Sequence, residues 1–283
     1  MLTVLTVCKN DRLNLSLTLN SLLSYDTDLE MFVKKIVIKD GLSNDGTVQD
    51  FEDYKKSFKA IGVKLIVVSD ADSGIFNAMN AAIDYCESDD LIWFLNAGDT
   101  VSENLNLVDL VKALKQFQES DASCCFFRSK NIFQDVYYFM PSENIVDREL
   151  FLNWARYNTP VHQAVIFKRS SKFMHYSEAF RVSSDSVTIY LNLLENERVQ
   201  FFPLTICNFY LGGLSGSYTP LSMLRVRIRE QQVIGVLRGE PIWSRTLRNI
   251  SFVIKYCLQS VMPQRYHVLQ ARARKFIKRR GEI

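Results

Sequence analysis

Residues 90–99 read DLIWFLNAGD, an apolar run closed by the small pair Ala97-Gly98 and by Asp99. A short apolar run between turn-forming residues predicts a buried strand. Three comparable runs precede it in the chain: LTVLTV (2–7), KKIVIKDG (34–41) and VKLIVVSD (63–70). Segments with a helical spacing of apolar residues separate these runs, near 13–24, 48–60 and 75–86. Strands that alternate with helices in this way predict βαβ units, a mostly parallel sheet and an α/β fold.

The second half of the chain has a different pattern. The strand-like pieces SCCFFRS (123–129) and VYYFM (136–140) predict a hairpin, and AVIFKR (164–169), a helix near 185–195 and VQFFPLTICNFYLGG (199–213) follow. From residue 221 the composition shifts to that of helices. We therefore expect one α/β domain over 1–220 and a basic helical extension over 221–283.

Length, composition and cysteine content indicate what class of protein this is. With 283 residues, 47% of them hydrophobic, the chain is long and apolar enough to fold around a large core. Its six cysteines form no CxxC pair, which favours buried thiols in a reducing compartment. The sequence shows neither a signal peptide nor an apolar run of the roughly 20 residues that span a membrane. We expect a cytoplasmic protein that is soluble or peripheral at the membrane.

The charge is unevenly distributed. The net charge is only +3, but from Arg245 to the C-terminus there are ten Lys or Arg residues against one acid, Glu282. Apolar and cationic residues alternate in RNISFVIKYCLQSVM (248–262) and KFIKRR (275–280). This pattern favours an interfacial helix on an anionic membrane, at the inner face of the cell membrane. The alternative is a helix packed on the first domain with a solvated basic end. No nucleic-acid-binding motif accompanies the charge, so we expect no nucleic-acid partner.

Polar side chains follow each of the four predicted strands. These clusters are Lys9-Asn10, Asp40-Gly41, residues 70–74 and residues 96–99. Parallel sheets bind their ligands in the crevice beyond the carboxyl ends of the strands, so these clusters mark the expected site. Turn formation alone does not require an acid or an amide at all four strand ends.

Individual residues in these clusters leave alternatives open. Asp40, at the tip of a buried strand, could accept hydrogen bonds from a base or ribose, while Ser43 and Thr47 could simply cap the next helix. The segment SDADSGIFNAMN (69–80) is consistent with a loop over a nucleotide, or with a helix whose positive end carries solvated acids. Asp99 is a hard oxygen ligand suited to Mg²⁺ or Mn²⁺, or the cap of the segment that follows.

The order of these motifs resembles the family 2 glycosyltransferases with the GT-A fold. TVCKN (6–10), DGLSNDGT (40–47), SDADSGIFNAMNAAI (69–83) and FLNAGD (94–99) occur in the family's order, and the resemblance covers about residues 1–215. The likeness is greatest to bacterial members of exopolysaccharide, O-antigen and colanic-acid clusters. It implies an inverting enzyme that moves a sugar from a nucleotide-diphosphate sugar to an acceptor, expected here to be a lipid-linked oligosaccharide of a bacterial surface polysaccharide.

The resemblance also implies site residues. It places the contacts to a UDP or GDP donor at Thr6, Asn10, Asp40, Asp72, Asn80 and Asn96. It places the ligand of a Mg²⁺ or Mn²⁺ cofactor at Asp99. The family's usual DxD aligns with Asn96-Ala97-Gly98, so both of its carboxylates are absent and Asp99 is the remaining acid. We therefore expect weak metal binding before the diphosphate arrives.

Later motifs complete the predicted site. SSDSVTIYLNLL (183–194) resembles the segment that carries the family's catalytic acid, which makes Asp185 the expected base, with a helix N-terminal cap as the alternative. Ser184 stands where the family usually has another acid, so a substrate contact at this position departs from the family pattern. TPVHQAVIFKR (159–169) resembles the acceptor-pocket segment, which implies contacts from His162 and Gln163, although His162 could equally be a hydrogen-bonded histidine at a strand start. LGGLSGSY (211–218) resembles a flexible loop over the donor, with Gly213 and Ser215 as contacts, and the alternative is a plain surface turn.

Two functions from other classes compete with a sugar transferase. A nucleotidyltransferase that acts on sugar phosphates also uses a nucleotide-binding α/β sheet, but its first strand is normally followed by a glycine-rich loop, and CKNDRLN (8–14) has no glycine. A non-catalytic scaffold at the membrane is the second alternative.

Overall fold

The computed structural model describes residues 1–195, 199–211 and 221–262. The described residues contain nine strands and eight α-helices. The strands are β1 (Leu2–Cys8), β2 (Val33–Asp40), β3 (Lys64–Ser69), β4 (Leu91–Phe94), β5 (Thr100–Val101), β6 (Cys124–Phe133), β7 (Val136–Met140), β8 (Val165–Lys168) and β9 (Val199–Tyr210). The helices are α1 (Arg12–Leu23), α2 (Phe51–Ala60), α3 (Ile75–Ile83), α4 (Leu107–Glu119), α5 (Arg148–Ala155), α6 (Ser184–Leu194), α7 (Leu221–Leu237) and α8 (Ile242–Val261). Short 3₁₀ turns lie at Asp26–Met31, Val48–Asp50 and His162–Ala164.

All nine strands form one mixed sheet. Eight of them are ordered β3-β2-β1-β4-β8-β6-β9-β5, and β7 pairs with β6. The first four strands in sequence are parallel, as predicted from the βαβ pattern. Beyond β4 the sheet turns antiparallel at β8, and β6 and β9 are again parallel to each other. The α/β fold class is therefore confirmed, with a second half that is mixed.

β1 lies at the centre of the parallel half. All seven of its residues are buried, because β2 and β4 pair with its two edges and helices cover both faces. Leu15, Leu19 and Leu22 of α1 pack into the core on one face, while Phe76 and Met79 of α3 pack on the other. The register aligns Cys8 of β1 with Asp40 of β2, and Asp40 with Ser69 of β3. Three strand ends therefore lie level at one edge of the sheet.

Four elements escape the sequence patterns. Helix α4 follows the polar segment after Asp99, and Asn106 caps its first turn by accepting a hydrogen bond from the Asp109 N–H group at 3.2 Å. Helix α5 is only eight residues long, and Asp147 caps it in the same way. Strand β5 has two residues, and the 3₁₀ turn at Asp26–Met31 lies between α1 and β2. The three short elements carry too few residues for a clear period, whereas α4 has 13 residues and buries Leu110, Ala113, Leu114 and Phe117 at helical spacing.

The last two helices have different partners. Helix α7 packs on α6, where Ile234 joins Val187 and Tyr190 in an apolar cluster. Helix α8 packs on α7 through its polar side, since Arg248 contacts Glu240 and the Gln231 carbonyl. No helix in the described ranges has both the length and the apolar character needed to cross a bilayer. The predicted domain boundary near residue 220 coincides with the start of α7 and stays a prediction.

Candidate active site

The edge of the sheet beyond β1, β2 and β3 is built on one buried carboxylate. Asp40 ends β2, is fully buried, and accepts hydrogen bonds from the Ser43 N–H group at 3.0 Å and from the Ser69 hydroxyl at 2.6 Å. The Ser43 hydroxyl also donates to it. Asp40 therefore shapes the loop after β2 and ties it to β3. Both of its carboxylate oxygens accept hydrogen bonds from the protein itself. Its contact with a donor nucleotide stays a prediction.

The loop after β1 is joined to the loop after β2. Asn10 has a left-handed backbone, with φ of 50°. Its N–H group donates to the Ser43 hydroxyl at 2.8 Å, and its side-chain oxygen accepts from the Asn44 N–H group at 2.8 Å. Thr6 lies deeper and is buried, with its hydroxyl donating to the Leu95 carbonyl of the β4 end at 2.8 Å. Both predicted donor contacts thus connect neighbouring strand ends.

The loop after β3 is fixed by a buried cation that the sequence analysis missed. Lys39 is 2% exposed, and its ammonium lies 2.5 Å from a carboxylate oxygen of Asp70 and 2.8 Å from the Asp70 carbonyl. Asp72 lies beside it, with an oxygen 3.9 Å from the same ammonium. A Cβ atom on Gly41 would stand 2.5 Å from that Asp72 oxygen, so only glycine allows this approach. The signal in the sequence is a lysine inside an apolar strand.

Asn80 has a different environment from the one predicted. Its side-chain amide donates to the Tyr176 carbonyl, and its oxygen accepts from the Tyr176 N–H group, both at 2.8 Å. The two bonds fasten α3 to the segment before α6. A contact between Asn80 and the donor stays a prediction, but the structure assigns both polar groups of the amide to this link.

Asp99 lies in a nearly dry pocket beyond β4. It is 6% exposed, its Oδ1 atom accepts a hydrogen bond from the Tyr210 N–H group at 3.2 Å, and the Gln163 side chain also bonds to it. Burial raises the pKa of Asp99 to about 8, and these two hydrogen bonds only partly oppose the rise. The structure thus brings together two residues predicted separately, Asp99 and Gln163.

The turn that places Asp99 is determined by its neighbours. Gly98 has a φ of +97°, a conformation that favours glycine, and its N–H group donates to the Asn14 carbonyl of α1 at 3.1 Å. The Thr18 hydroxyl donates to the Asp99 carbonyl at 2.7 Å. The Oδ1 atom of Asn96 is buried and has no hydrogen-bond partner among the described residues. An amide oxygen left unpaired beside a carboxylate provides hard donors of the kind that Mg²⁺ and Mn²⁺ bind.

A second acidic cluster lies far from this pocket. Glu87, Asp89 and Asp90 have ligand atoms close enough to share a cation, and they are the one such group of three found among the described residues. They precede β4, at the opposite end of the strand from Asp99. Lys34 and Lys35 already pair with them, at 2.5 Å and 3.3 Å from Asp90. Glu87 and Asp90 of this cluster are therefore already engaged in ion pairs at the start of β4.

His162 is part of the core. It is 5% exposed, its Nε2 atom lies 2.6 Å from the Tyr176 hydroxyl, and its ring packs 5.2 Å from that of Phe94. Burial lowers the pKa of His162 to about 3, so the imidazole is neutral at physiological pH. This environment matches the hydrogen-bonded histidine that the sequence left open as an alternative. A contact with donor or acceptor stays a prediction.

Asp185 lies in the first turn of α6. It is partly exposed, and its Oδ1 atom accepts a hydrogen bond from the Ser186 N–H group at 2.7 Å. Burial raises the pKa of Asp185 to about 6; hydrogen bonds from Ser186 oppose the rise, and the negative charge of Glu230 adds to it. Ser184 beside it is fully buried, with an Oγ atom that has no partner in the described part of the chain. A carboxyl group with this pKa takes up and releases a proton near neutral pH.

One short segment carries both His162 and Gln163. The 3₁₀ turn at His162–Ala164 is held by the indole N–H group of Trp93, which donates to the Gln163 carbonyl at 2.8 Å. Gln163 then bonds to Asp99, while His162 bonds to Tyr176, whose pKa is raised by burial and further by the charge of Asp185. Neighbouring residues of one turn therefore contact Asp99 and Tyr176. Gly213 and Ser215, the other predicted contacts, lie outside the described residues.

This arrangement can be compared with known proteins. The sequence pattern described as "Glycosyl transferase family 2" matches residues 3–186, which include every strand end described above and Asp185. The chain belongs to glycosyl transferase family 2. The nucleotidyltransferase alternative is thereby replaced by a glycosyltransferase assignment. A search of curated proteins found no match.

Solved structures of similar fold include two that contain a nucleotide sugar. One is S. aureus TarS 1-349 in complex with UDP-GlcNAc, with a TM-score of 0.61 and 16% identity, covering 83% of this chain and 66% of that one. The other is the mannosyltransferase PcManGT from Pyrobaculum calidifontis in complex with GDP-Man and Mn²⁺, with a TM-score of 0.55 and 15% identity, covering 96% of this chain and 73% of that one. These likenesses confirm the GT-A fold. The chain spans 64% and 43% of the length of two further TarS structures.

Replacing Asp99 by Asn is expected to stabilise the fold at alkaline pH. Between the ordinary aspartate pKa, near 3.9, and the folded value of about 8, the folded state holds a proton that the unfolded state has lost. Wild-type stability therefore falls as the pH rises through this window, whereas the isosteric amide has no such loss. We expect Asp99→Asn to raise the free energy of unfolding on the order of 5 kcal/mol at pH 8 and hardly at all at pH 4.

Urea unfolding at pH 4, 6 and 8 measures this effect. Asp121→Asn is the matched control, because Asp121 is exposed and the same change there removes no buried charge. An equal pH dependence of stability in Asp99→Asn and in the control would contradict the raised pKa of Asp99.

Proposed function

We propose that the chain is an inverting glycosyltransferase in which Asp185 is the catalytic base. The observation that carries the proposal is the Asp185 carboxyl, with a pKa of about 6, at the start of α6 within the matched family region. A general base works best when its pKa lies near the working pH. At neutral pH the Asp185 carboxyl group is mostly deprotonated, and its raised pKa makes it a stronger base than an ordinary aspartate.

The chemistry assigned to this carboxylate is a single displacement. Asp185 takes the proton of an acceptor hydroxyl while the hydroxyl oxygen forms a bond to the anomeric carbon of the donor sugar. The bond from that carbon to the diphosphate oxygen breaks with its electron pair, and the nucleoside diphosphate leaves. Attack opposite to the leaving group inverts the configuration at the anomeric carbon.

The donor is proposed to be a UDP-sugar or a GDP-sugar. The fold supports this class, since TarS is described in complex with UDP-GlcNAc and PcManGT in complex with GDP-Man. The strand ends that carry Asn10, Asp40 and Asp72 form the edge where a nucleotide would bind in such a sheet.

A divalent cation is proposed to bind with the donor. PcManGT is described with Mn²⁺, as is the similar structure of GalNAc-T7, which has a TM-score of 0.55. In this chain Asp99 and Asn96 fit the cation, since one offers a carboxylate and the other an unpaired amide oxygen. The cation would supply positive charge to the diphosphate. Asp99 and Asn96 would hold it, and Gln163 orients the Asp99 carboxyl group.

A screen of nucleotide sugars by thermal unfolding tests the donor and the metal. Ligands that bind only the folded state raise Tm by mass action, and a ligand at about 100 times its Kd would raise it by roughly 5 °C. UDP-GlcNAc, UDP-glucose and GDP-mannose are tested with Mn²⁺ and with a chelator. We expect one nucleotide base to give the larger shift, and the shift to shrink on chelation.

The control for this screen is Asp99→Asn, which should keep the metal-independent part of the shift and lose the metal-dependent part. If no nucleotide sugar changes Tm under any condition, the non-catalytic scaffold is favoured over the enzyme.

Changing Asp185 to Asn tests the base directly. We expect turnover of the donor that binds to fall by roughly 10³-fold, because the amide cannot take the acceptor proton. The donor-induced shift in Tm should be unchanged. In wild type, kcat/KM should fall as the pH drops through about 6, because protonation removes the base.

Asp84→Asn serves as the control, since it makes the same change at an exposed acid at the end of α3. Turnover by Asp185→Asn equal to that of the control would rule out Asp185 as the base.

The acceptor is proposed to be a lipid-linked oligosaccharide of a bacterial surface polysaccharide, reached at the inner face of the cell membrane. Support comes from the exposed apolar face of α8, whose large side chains are each more than 40% exposed: Ile242, Trp243, Leu247, Ile250, Val253, Ile254, Leu258 and Val261. At 100° per residue they cover about 160° of the helix, which is broader than the seam of a two-stranded coiled coil. The helix turns Arg245 and Arg248 towards α7 instead.

The charge that follows this face favours a lipid surface over a second protein copy. Residues 263–283 lie outside the described part, and their sequence carries seven Lys or Arg residues against one acid. Cationic residues next to an apolar helix face increase affinity for anionic lipids by about 1 kcal/mol each near the surface. The α8 face and the basic sequence after it therefore suit an anionic membrane.

Binding to vesicles tests this proposal. The full chain should co-sediment with vesicles of phosphatidylglycerol and phosphatidylcholine and bind those of phosphatidylcholine alone at least about tenfold more weakly, with binding reduced by salt. Leu247→Glu with Ile254→Glu should abolish binding, because two charges would enter the apolar layer.

The matched control places the same two charges on exposed positions of other helices, Ser57→Glu and Gln116→Glu. Binding by both double variants alike would contradict docking through α8. A change in oligomeric state on Leu247→Glu with Ile254→Glu, without vesicle binding by wild type, would identify the face as a contact between copies instead.

A further inference from the structure

Helix α7 places a buried acid against the segment that leads into α6. Glu230 is 4% exposed. Its carboxylate accepts a hydrogen bond from the Arg181 N–H group at 2.6 Å, and the Val182 N–H group lies 3.2 Å and 3.3 Å from its two oxygens. Arg181 and Val182 come immediately before the start of α6, four and three residues ahead of Asp185. One side chain thus accepts from two consecutive backbone N–H groups.

The position of Glu230 is fixed by the packing of α7. Ile234, one turn further along α7, is 2% exposed and packs against Val187 and Tyr190 of α6. Arg238 lies over the Tyr190 ring, 4.1 Å from its centroid, and donates to the Thr159 hydroxyl at 2.6 Å. The helix that carries Glu230 and the helix that carries Asp185 therefore pack directly against each other.

We propose that Glu230 is a positioning residue for Asp185: it fixes the backbone that delivers the base and places a negative charge beside it. The inference rests on the proposed function of Asp185. It extends the site beyond the matched family region, which ends at residue 186, into the C-terminal helices. The part of the chain predicted as a separate extension would then complete the catalytic centre.

A carboxylate suits this position better than an amide. A carboxylate has acceptor sites on both oxygens and can accept from both N–H groups, whereas glutamine would direct its NH₂ group at one of them. The negative charge also disfavours ionisation of a nearby carboxyl group, in the same direction as burial does at Asp185. Glu230 thereby adds to the rise in the pKa of the base.

Other ionisable groups around this pair do not replace Glu230. Tyr176 faces Asp185 from the preceding segment, and burial keeps its hydroxyl protonated by raising its pKa well above the ordinary value. Arg227 lies one turn before Glu230 on α7, and burial lowers its pKa while the Glu230 charge raises it. Among these groups Glu230 combines a negative charge with bonds to the backbone ahead of α6.

The test compares Glu230→Gln with Glu240→Gln in the full chain. Glu240 lies in the connection between α7 and α8 and pairs with Arg248, so its replacement removes an equal charge without touching residues 181–182. The carboxyl carbon of Asp185 is followed by NMR over pH in protein labelled at aspartate, with its signal assigned from Asp185→Asn. In parallel, kcat and KM are measured with the nucleotide sugar that raises Tm most.

We expect Glu230→Gln to lower the pKa of Asp185 and to reduce kcat about tenfold, with KM for the donor within about twofold of wild type. The acidic limb of kcat/KM should move to lower pH. Glu240→Gln should match wild type in all of these. Glu230→Asp keeps the charge with a shorter reach, so its kcat should fall while the pKa of Asp185 stays above that in Glu230→Gln.

The inference is overturned if Glu230→Gln matches Glu240→Gln in either the titration or kcat while Asp185→Asn is inactive. Turnover retained by Asp185→Asn would instead refute the proposed base, and the titration alone would then decide whether Glu230 acts on that carboxyl group. If Glu230→Gln does not fold, Glu230→Asp decides in its place: a kcat equal to that of wild type would overturn the inference.

Discussion

The pairing of β1 between β2 and β4 is the constraint on which the site depends. Parallel strands joined by helical crossovers place their carboxyl ends at the same edge, and β1 is buried along its whole length because both of its edges and both of its faces are covered. The loops that follow must therefore converge. Asp40 then joins two of these loops, and Asn10 joins the third to them.

Burial of Asp99 and Asp185 away from water determines how readily each carboxyl group gives up its proton. Asp99 and Asp185 both have a raised pKa for the same primary reason, which is burial. They differ in what surrounds the carboxyl group. Asp99 has two hydrogen-bond donors and an unpaired amide oxygen at Asn96 nearby, an environment that a cation would complete. The Asp185 side chain is partly exposed to solvent, and the charge of Glu230 adds to the rise in its pKa. This environment suits proton transfer.

The sequence predicts the strands and helices better than it predicts the contacts in the site. All four parallel strands and their helices follow from local periodicity, as do the hairpin of β6 and β7 and helix α6. The site contacts do not, because they depend on which side chains the fold brings together. His162 shows the difference: its sequence context allows a ligand contact or a core position, and the aromatic rings of Phe94 and Tyr176 enclose it.

The sequence by itself determined the α/β class, the strand ends that carry polar residues, the resemblance to family 2 and the choice of Asp185, since each depends on residue order and local pattern. The tertiary structure alone decided what those residues contact. Lys39 beneath the β3 loop and Glu230 beneath α6 are buried charges whose partners lie far away in sequence or on another element. Burial and pairing depend on distance in space, which no local pattern specifies.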